Sequence, residues 1–397
     1  IIQKDKKLRL HLGPNYTKSL RDYRVIFRSP GIPIPQKIKG KITSQSKIFI
    51  EAYRNKIIGI TGTKGKTTTT SLIYKILKDA NISAKLVGNI GYPPLDYVDK
   101  VKETKFFVFE LSSFQLQDLE KSPHIAVFLN LYKEHLDYHQ GFENYKKAKA
   151  NIVKWQSVGD FVIYNNDSKP IQQMLKKVKS TKIPFNLEKK ANTGAYVKGD
   201  WIYYDLQKVL KITDTKLKGR FNLNNILAAI SVAKVLNVSD STISSSIKAF
   251  KPAKHRLEYI GDYDGIDFYN DSIATIPEAT IAAIETLSPN IDTLIVGGYN
   301  RGIDYLELSK RIVDKRIANL ILFPETGSII LAGIITQKEF MPNYVSVKTM
   351  KDAVQIAAKV TKKGKICLLS PASSSFNLFK NYQDRGEQFI NEVKNLK

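Results

Sequence analysis

The sequence predicts an α/β protein built on mainly parallel sheets, and three observations carry that expectation. Short apolar runs of strand character alternate with segments of helical period, the pattern of a parallel sheet covered by helices. The alternation stops near residue 252 and then restarts, so one sheet does not account for the chain. The 397 residues, 43% of them hydrophobic, suffice for two to three domains at roughly 100–200 residues each, which excludes a single small module.

Residues 1–45 carry little pattern: candidate strands at Leu8–His11 and Tyr23–Arg28, then the turn Ser29-Pro30-Gly31-Ile32-Pro33. From Lys56 the signals strengthen. The apolar run Ile57-Ile58-Gly59-Ile60 leads through a glycine and threonine turn into a helical pattern carried by Leu72, Ile76 and Leu77. Further buried strands are expected at Phe106–Glu110, Ile125–Asn130 and Phe161–Tyr164, and a helix over Asn222–Leu236. Beyond Lys251-Pro252 the expected strands are Asp267–Asn270, Thr293–Val296, Leu320–Phe323 and Lys365–Leu369. Between them lie helical patterns at Pro277–Leu287, Tyr305–Val313 and Met350–Val360. No repeat of fixed period and no low-complexity tract interrupts this order.

The formal charge of +25, from 62 basic and 37 acidic residues, would suit a nucleic-acid binder. The excess is lysine spread along the chain, without the interleaved aromatic and basic residues of a stacking platform, so nucleic acid is not expected as the main partner. A substrate carrying several phosphates or carboxylates uses the same field. No stretch reaches the roughly 18 to 20 consecutive apolar residues of a membrane span, and the start lacks the apolar core of a signal peptide; a soluble, cytoplasmic chain is expected. The single cysteine, Cys367, lies in the apolar run Ile366–Leu369 and reads as a buried reduced thiol.

The strongest local signal is Gly59-Ile60-Thr61-Gly62-Thr63-Lys64-Gly65-Lys66-Thr67-Thr68, between a strand and a helix. Glycines let main-chain amides close around phosphate oxygens, and the helix N-terminus adds partial positive charge. Lys66 can reach the outer phosphates and Thr67 can hold Mg²⁺. Isoleucine occupies position 60, where the usual phosphate-loop pattern has glycine, so the loop is a shortened relative. Glu110 ends an apolar strand where open α/β sheets place their ligands, and is a candidate Mg²⁺ ligand; a solvated acid is the blander reading. His135 and His139 have the i, i+4 spacing of a zinc pair, but no third ligand completes the pattern, and a hydrogen-bonded loop histidine is the simpler expectation.

Taken in order, Gly-Thr-x-Gly-Lys-Thr-Thr, Glu-Leu-Ser-Ser-Phe-Gln-Leu from Glu110, Glu-x-His-Leu-Asp from Glu134, and Tyr145-Lys146-Lys147-Ala148-Lys149 resemble the Mur ligases, ATP-dependent amide-bond formers of peptidoglycan synthesis. Gly219-Arg220-Phe221-Asn222-Leu223-Asn224-Asn225, His255-Arg256 and Asn270-Asp271-Ser272 continue the resemblance. The ending Leu369-Ser370-Pro371-Ala372-Ser373-Ser374-Ser375-Phe376 with Arg385-Gly386 is most similar to the members that add glutamate.

That resemblance implies a three-domain fold: a truncated N-terminal α/β domain over residues 1–45, a central ATP-binding domain over 46–252, and a Rossmann-like amino-acid-binding domain over 253–397. It implies ATP and Mg²⁺ as cofactors, and UDP-N-acetylmuramoyl-L-alanine and glutamate, the D enantiomer favoured, as substrates. A monomer is expected. Gly62, Thr63, Lys64, Gly65, Lys66, Thr67 and Thr68 would cradle the phosphates, with Asn222, Asn225, His255, Arg256 and Asp271 also on the nucleotide. Thr67, Glu110, His135 and Lys149 would serve the metal, Lys149 as a carbamate formed with CO₂, a reaction that requires the neutral amine. In isolation Lys149 reads as one more exposed lysine. Lys66, His135, Lys149 and Arg256 are the implied catalytic group. Asn89, Arg301, Ser375, the Phe376 backbone and Tyr382 are implied on the substrate side; apolar packing is the bland reading of the two rings. Ile273 and Ile276 stand where the family commonly has lysine and asparagine, and Arg301 where it has a second lysine. An L-glutamate-adding ligase and a non-ligating nucleotide binder therefore stay open as alternatives. The short front implies weak binding of the sugar nucleotide.

Overall fold

The computed structural model describes residues 11, 16–32, 40–132, 136–187, 193–217, 219–251 and 254–396, and the chain divides into two units, 1–250 and 251–397. At the front, β1 (Val25–Phe27) pairs in parallel with β2 (Lys41–Thr43), so the strand expected near Tyr23–Arg28 is present; Leu8–Leu10 lie outside the described residues. Helix α1 (Gln45–Tyr53) follows, capped by the Ser44 side chain on the Lys47 N–H.

The central sheet contains β3 (Ile57–Thr61), β4 (Ala84–Gly88), β5 (Phe106–Glu110), β6 (Ile125–Phe128), β7 (Phe161–Asn165), β8 (Thr181–Asn186), β9 (Ala195–Lys198), β10 (Trp201–Tyr204) and β11 (Gln207–Lys211). Its order is β11-β10-β9-β8-β7-β6-β3-β5-β4, parallel from β4 to β9 and antiparallel only across β9-β10-β11. Alternate residues of each strand leave on opposite faces. Ile58, Ile60, Val108 and Val127 enter one core with Leu72, Ile76, Ile226 and Ile230, whereas Ile57, Phe107, Phe109 and Phe128 enter the other with Phe49 and Ile152. A sheet buried on both faces explains why its strands read as continuous apolar runs.

Helix α2 (Lys66–Asp79) opens with four threonines, poor helix formers because χ1 is restricted. Packing compensates: Thr69, Leu72, Ile73 and Ile76 are buried on its inner face. The further helices of this unit are α3 (Ser113–Leu116), α4 (Leu136–His139), α5 (Phe142–Lys154), α6 (Lys169–Leu175), α7 (Arg220–Val235) and α8 (Asp240–Ala249). The sheet order reverses around β3, whose carboxyl end sits beside that of β5, with Ile60 opposite Glu110. Open α/β sheets bind ligands at such a switch point.

The second unit has β12 (Glu258–Tyr263), β13 (Ile266–Asn270), β14 (Ile291–Gly298), β15 (Asn319–Glu325), β16 (Asn343–Ser346) and β17 (Ile366–Leu369), ordered β12-β13-β17-β14-β15-β16 and parallel except for the β12-β13 hairpin. Helices α9 (Pro277–Leu287), α10 (Leu306–Asp314), α11 (Thr326–Ile335), α12 (Met350–Val360) and α13 (Tyr382–Lys394) cover it. The α/β class with mainly parallel sheets is thus observed in both units. Cys367 is fully buried, and burial pushes its thiol well above the ordinary range. Among the described residues no helix is long and apolar enough to cross a membrane.

Candidate functional site

In the first unit the candidate residues gather at the carboxyl ends of β3 and β5. Gly65 caps α2 at φ +83°, and a Cβ there would strike the Asn225 side chain, so both backbone and space demand glycine. Asn130 holds the loop as a second main chain would: its Oδ1 accepts from Lys64 N at 2.8 Å and its Nδ2 donates to Lys64 O at 3.0 Å. The strand expected to reach Asn130 ends at Phe128. Thr63 Oγ1 lies 3.0 Å from Tyr145 Oη and accepts from Tyr132 N at 2.9 Å. Lys66 folds back, its Nζ donating to Gly62 O at 3.0 Å and Thr63 O at 2.9 Å.

Lys149, on the inner face of α5, reaches the same carbonyl: its Nζ donates to Gly62 O at 2.8 Å and Thr61 Oγ1 at 3.2 Å. It is 1% exposed, which overturns the exposed-lysine reading. Glu110 is equally buried, so the solvated-acid reading fails as well. Its Oε1 accepts from Asn89 Nδ2 at 2.9 Å, while Oε2 is buried without a hydrogen-bond partner among the described residues. A buried carboxylate oxygen left bare fits a cation. Asn222 and Asn225 join this group through the start of α7: Asn225 Nδ2 donates to Asn222 Oδ1 at 3.0 Å, and its Oδ1 accepts from Thr69 Oγ1 at 3.2 Å.

His135 lies outside the described residues. His139 is buried, bonded through Nε2 to Ser113 Oγ at 3.0 Å and stacked on Phe114. Among the described residues no cluster of three histidine, cysteine or acidic side chains could hold a metal.

In the second unit the candidates again sit at strand ends. Asn270 Nδ2 donates to His255 Nδ1 at 2.9 Å, which leaves the ring proton on Nε2, 3.6 Å from Glu387. Asp271 accepts from Leu257 N at 3.1 Å and Ser370 Oγ at 2.8 Å. Burial pushes its carboxyl up to about 7, although those bonds and the charges of Arg256 and Arg385 pull it down. Arg256 Nε is buried with no hydrogen-bond partner among the described residues, a donor open to an anion. Arg301 is exposed and donates through Nη2 to Thr275 O at 2.7 Å. Ser375 is buried and its carbonyl accepts from Phe379 N at 2.9 Å. Phe376 is 70% exposed, contrary to the apolar-packing reading, and Tyr382 is half-buried with its ring edge-on to His255.

Sequence reasoning missed Asn130 and Arg385 as site residues. Arg385 is fully buried; it donates through Nε to Ser272 Oγ at 3.0 Å, through Nη2 to Ser272 O at 2.8 Å and through Nη1 to Ser373 O at 3.0 Å. Burial pulls its guanidinium down to about 9. The Arg385-Gly386 pair carried part of the resemblance, without a role assigned to either residue; a Cβ at Gly386 would collide with the His255 ring.

Two family models match. One, described as the Mur ligase middle domain, covers residues 60–233; the other, described as Mur ligase, glutamate ligase domain, covers 255–373. A UDP-N-acetylmuramoylalanine--D-glutamate ligase of Clostridium botulinum is 37% identical over 98% of this chain and 86% of its own length. One from Geobacillus kaustophilus is 36% identical over 94% and 84%. Among solved structures, the MurF ligase of Thermotoga maritima in complex with ADP aligns at TM-score 0.63 and 17% identity over 96% of this chain and 91% of that one. The UDP-N-acetylmuramate-alanine ligase MurC of the same organism aligns at 0.62 and 15% over 97% and 88%; both establish the fold alone.

Proposed function

The chain belongs to the Mur ligase family, and we propose that it joins D-glutamate to UDP-N-acetylmuramoyl-L-alanine at the expense of ATP, in the cytoplasm, as a step of peptidoglycan precursor synthesis. The names of its relatives support the substrates, and one observation carries the chemistry. The phosphate-type loop, a buried carboxylate with a bare oxygen and a buried lysine converge at adjacent strand ends.

In this reading ATP phosphorylates the substrate carboxylate, and the amine of glutamate attacks the acyl phosphate with release of phosphate. Phosphoryl transfer asks for positioning and charge neutralisation. The loop Gly62–Thr68 at the start of α2 would cradle the phosphates, with the Thr63 and Lys64 amides themselves held by Asn130, and Lys66 would exchange its carbonyl partners for the β- and γ-oxygens. Mg²⁺, when bound, neutralises the transferring group; Thr67, Glu110, His135 and Lys149 would hold it. Asn89 fixes the rotamer of Glu110. Lys149 serves as a carbamate: CO₂ adds to the neutral amine, releasing one proton and leaving an anionic oxygen pair. That step needs the neutral amine; Lys149 is buried and its Nζ shares the Gly62 carbonyl with Lys66.

Asn222 and Asn225 with His255, Arg256 and Asp271 bind the rest of the nucleotide, Arg256 as the charged donor toward phosphate. Arg301, Ser375, the Phe376 backbone and Tyr382 form the amino-acid side. With Ile273 where a lysine is common, Arg301 supplies the cation for a glutamate carboxylate. Phosphate release with UDP-N-acetylmuramoyl-L-alanine, ATP and a panel of amino acids tests the assignment. Release with D-glutamate is expected. Release with L-glutamate only would move the chain to the alternative stereochemistry, and none with either enantiomer would overturn the ligase reading.

A further inference from the structure

The loop after β14 carries Arg301 and the loop after β17 carries Ser375, and a buried chain of hydroxyls lies between them. Thr326, the first residue of α11, is fully buried, and its Oγ1 donates to Gly298 O at 2.9 Å. Ser373 Oγ lies 2.7 Å from Thr326 Oγ1, and Tyr305 Oη lies 3.0 Å from Ser373 Oγ. Each hydroxyl owns one proton. Because a carbonyl can only accept, the Thr326 proton is spent on Gly298, so Ser373 must donate to Thr326 and Tyr305 to Ser373. The three bonds therefore have one common direction, from Tyr305 through Ser373 and Thr326 to Gly298.

Two further contacts share this task. Arg385 Nη1 donates to Ser373 O at 3.0 Å, and Glu325, at φ +65° immediately before Thr326, accepts from Asn300 N at 2.8 Å. A glutamate in the left-handed region is strained and persists only where its surroundings over-determine it. Main-chain bonds from Gly297 N to Pro371 O and from Tyr299 N to Ser374 O, each 2.9 Å, set the two loops side by side. The hydroxyl chain fixes the helix start against both.

We infer that Thr326 is a positioning residue for the amino-acid substrate: through the Tyr305–Ser373–Thr326–Gly298 chain it sets the spacing between the loop bearing Arg301 and the loop bearing Ser375. The inference rests on the proposed amino-acid side of the site. Its four residues lie in the second unit, whereas the phosphate loop and Lys149 lie in the first, so the test separates amino-acid affinity from nucleotide affinity.

Threonine-to-valine replacement keeps the shape and removes the hydroxyl. In the full chain, Thr326→Val should raise the KM for glutamate about tenfold, while the KM for ATP and kcat at saturating glutamate stay within about twofold. Thr326→Ser, which keeps the hydroxyl, should recover most of the loss, and Tyr305→Phe, which removes only the first donor, should cost about threefold. Hydrogen exchange at the amides of residues 298–301 and 373–375 should quicken in Thr326→Val and not in Thr326→Ser. If the wild type uses another amino acid, the glutamate assignment fails and the same KM shift is read for that substrate. If it turns over none, the ligase reading fails and the exchange rates alone decide. An unchanged amino-acid KM, equal rises for ATP and amino acid that serine does not repair, or unchanged exchange in the two loops would overturn the inference. Should Thr326→Val fail to fold, Tyr305→Phe carries the same comparison.

Discussion

The two units place their candidate residues alike, at the carboxyl ends of parallel strands, but hold them by different means. In the central sheet, lysine side chains lean on the loop: Lys66 on the Gly62 and Thr63 carbonyls, Lys149 on the Gly62 carbonyl and the Thr61 hydroxyl. In the C-terminal sheet, a buried arginine, a buried carboxyl and a chain of hydroxyls bind loop to loop. A cation resting on a carbonyl can exchange that partner for phosphate at little cost, since an anionic acceptor is the stronger one. The C-terminal network has no such replacement, because breaking it strands buried donors and acceptors. The first unit is thus built to trade partners with a charged ligand and the second to stay fixed while a small one docks.

Lys149→Ala should cost the most activity. If the carbamate orients the metal, phosphate release should fall by at least ~100-fold, while calorimetry finds ATP affinity within about threefold. Short carboxylates added to the assay should restore part of the rate by returning an anionic oxygen to the gap. Activity near wild type would return Lys149 to a structural role.

In the second unit, the buried Asp271 carboxyl makes stability depend on pH. Its folded carboxyl is raised from 3.8 to about 7, so between those values the folded state holds a proton that the unfolded chain has released. The stability this contributes is fully present below about pH 4 and is lost as pH rises through about 7, at no more than ~1.4 kcal/mol per pH unit. The difference in melting temperature between wild type and Asp271→Asn should therefore shrink from pH 5 to 7.5, the asparagine lacking the slope. A difference that widens with pH would mean that the arginines, not burial, govern the group.

How far the sequence disclosed these arrangements follows from the range of the interactions. The phosphate-type loop was legible because its glycines, lysine and threonines must be contiguous, and the parallel strands because burial on both faces leaves unbroken apolar runs. The β9-β10-β11 meander was not, since Lys198, Trp201, Gln207 and Lys208 interrupt any run. Asn130 acts on a residue 66 positions earlier and Arg385 on one 113 positions earlier, distances at which no local spacing gives warning. The burial of Lys149 was equally hidden, because Lys146, Lys147 and Lys154 give its helix the look of a solvated face.

Asn130 tests the first unit at smaller amplitude. Asn130→Ala removes both bonds to the Lys64 main chain, each worth about 1 kcal/mol, and should raise the KM for ATP about fivefold while leaving the glutamate KM unchanged. A rise in both would show that loop geometry is shared between the units rather than local.

The smallest effect is the control on the largest. Lys146 lies one turn before Lys149 on α5, yet its Nζ pairs with Glu143 at 2.8 Å on the outer face and lies 5.6 Å from the centre of the Phe142 ring. An exposed i, i+3 pair contributes about 0.3–0.5 kcal/mol. Lys146→Ala should therefore leave kcat and both KM values within about twofold, with no response to added carboxylates. The two lysines carry the same formal charge on the same helix, so a general loss of positive potential would affect both alike. Equal losses in the two variants would make the effect one of net charge and would remove the distinction between a lysine placed for chemistry and one placed for solvent.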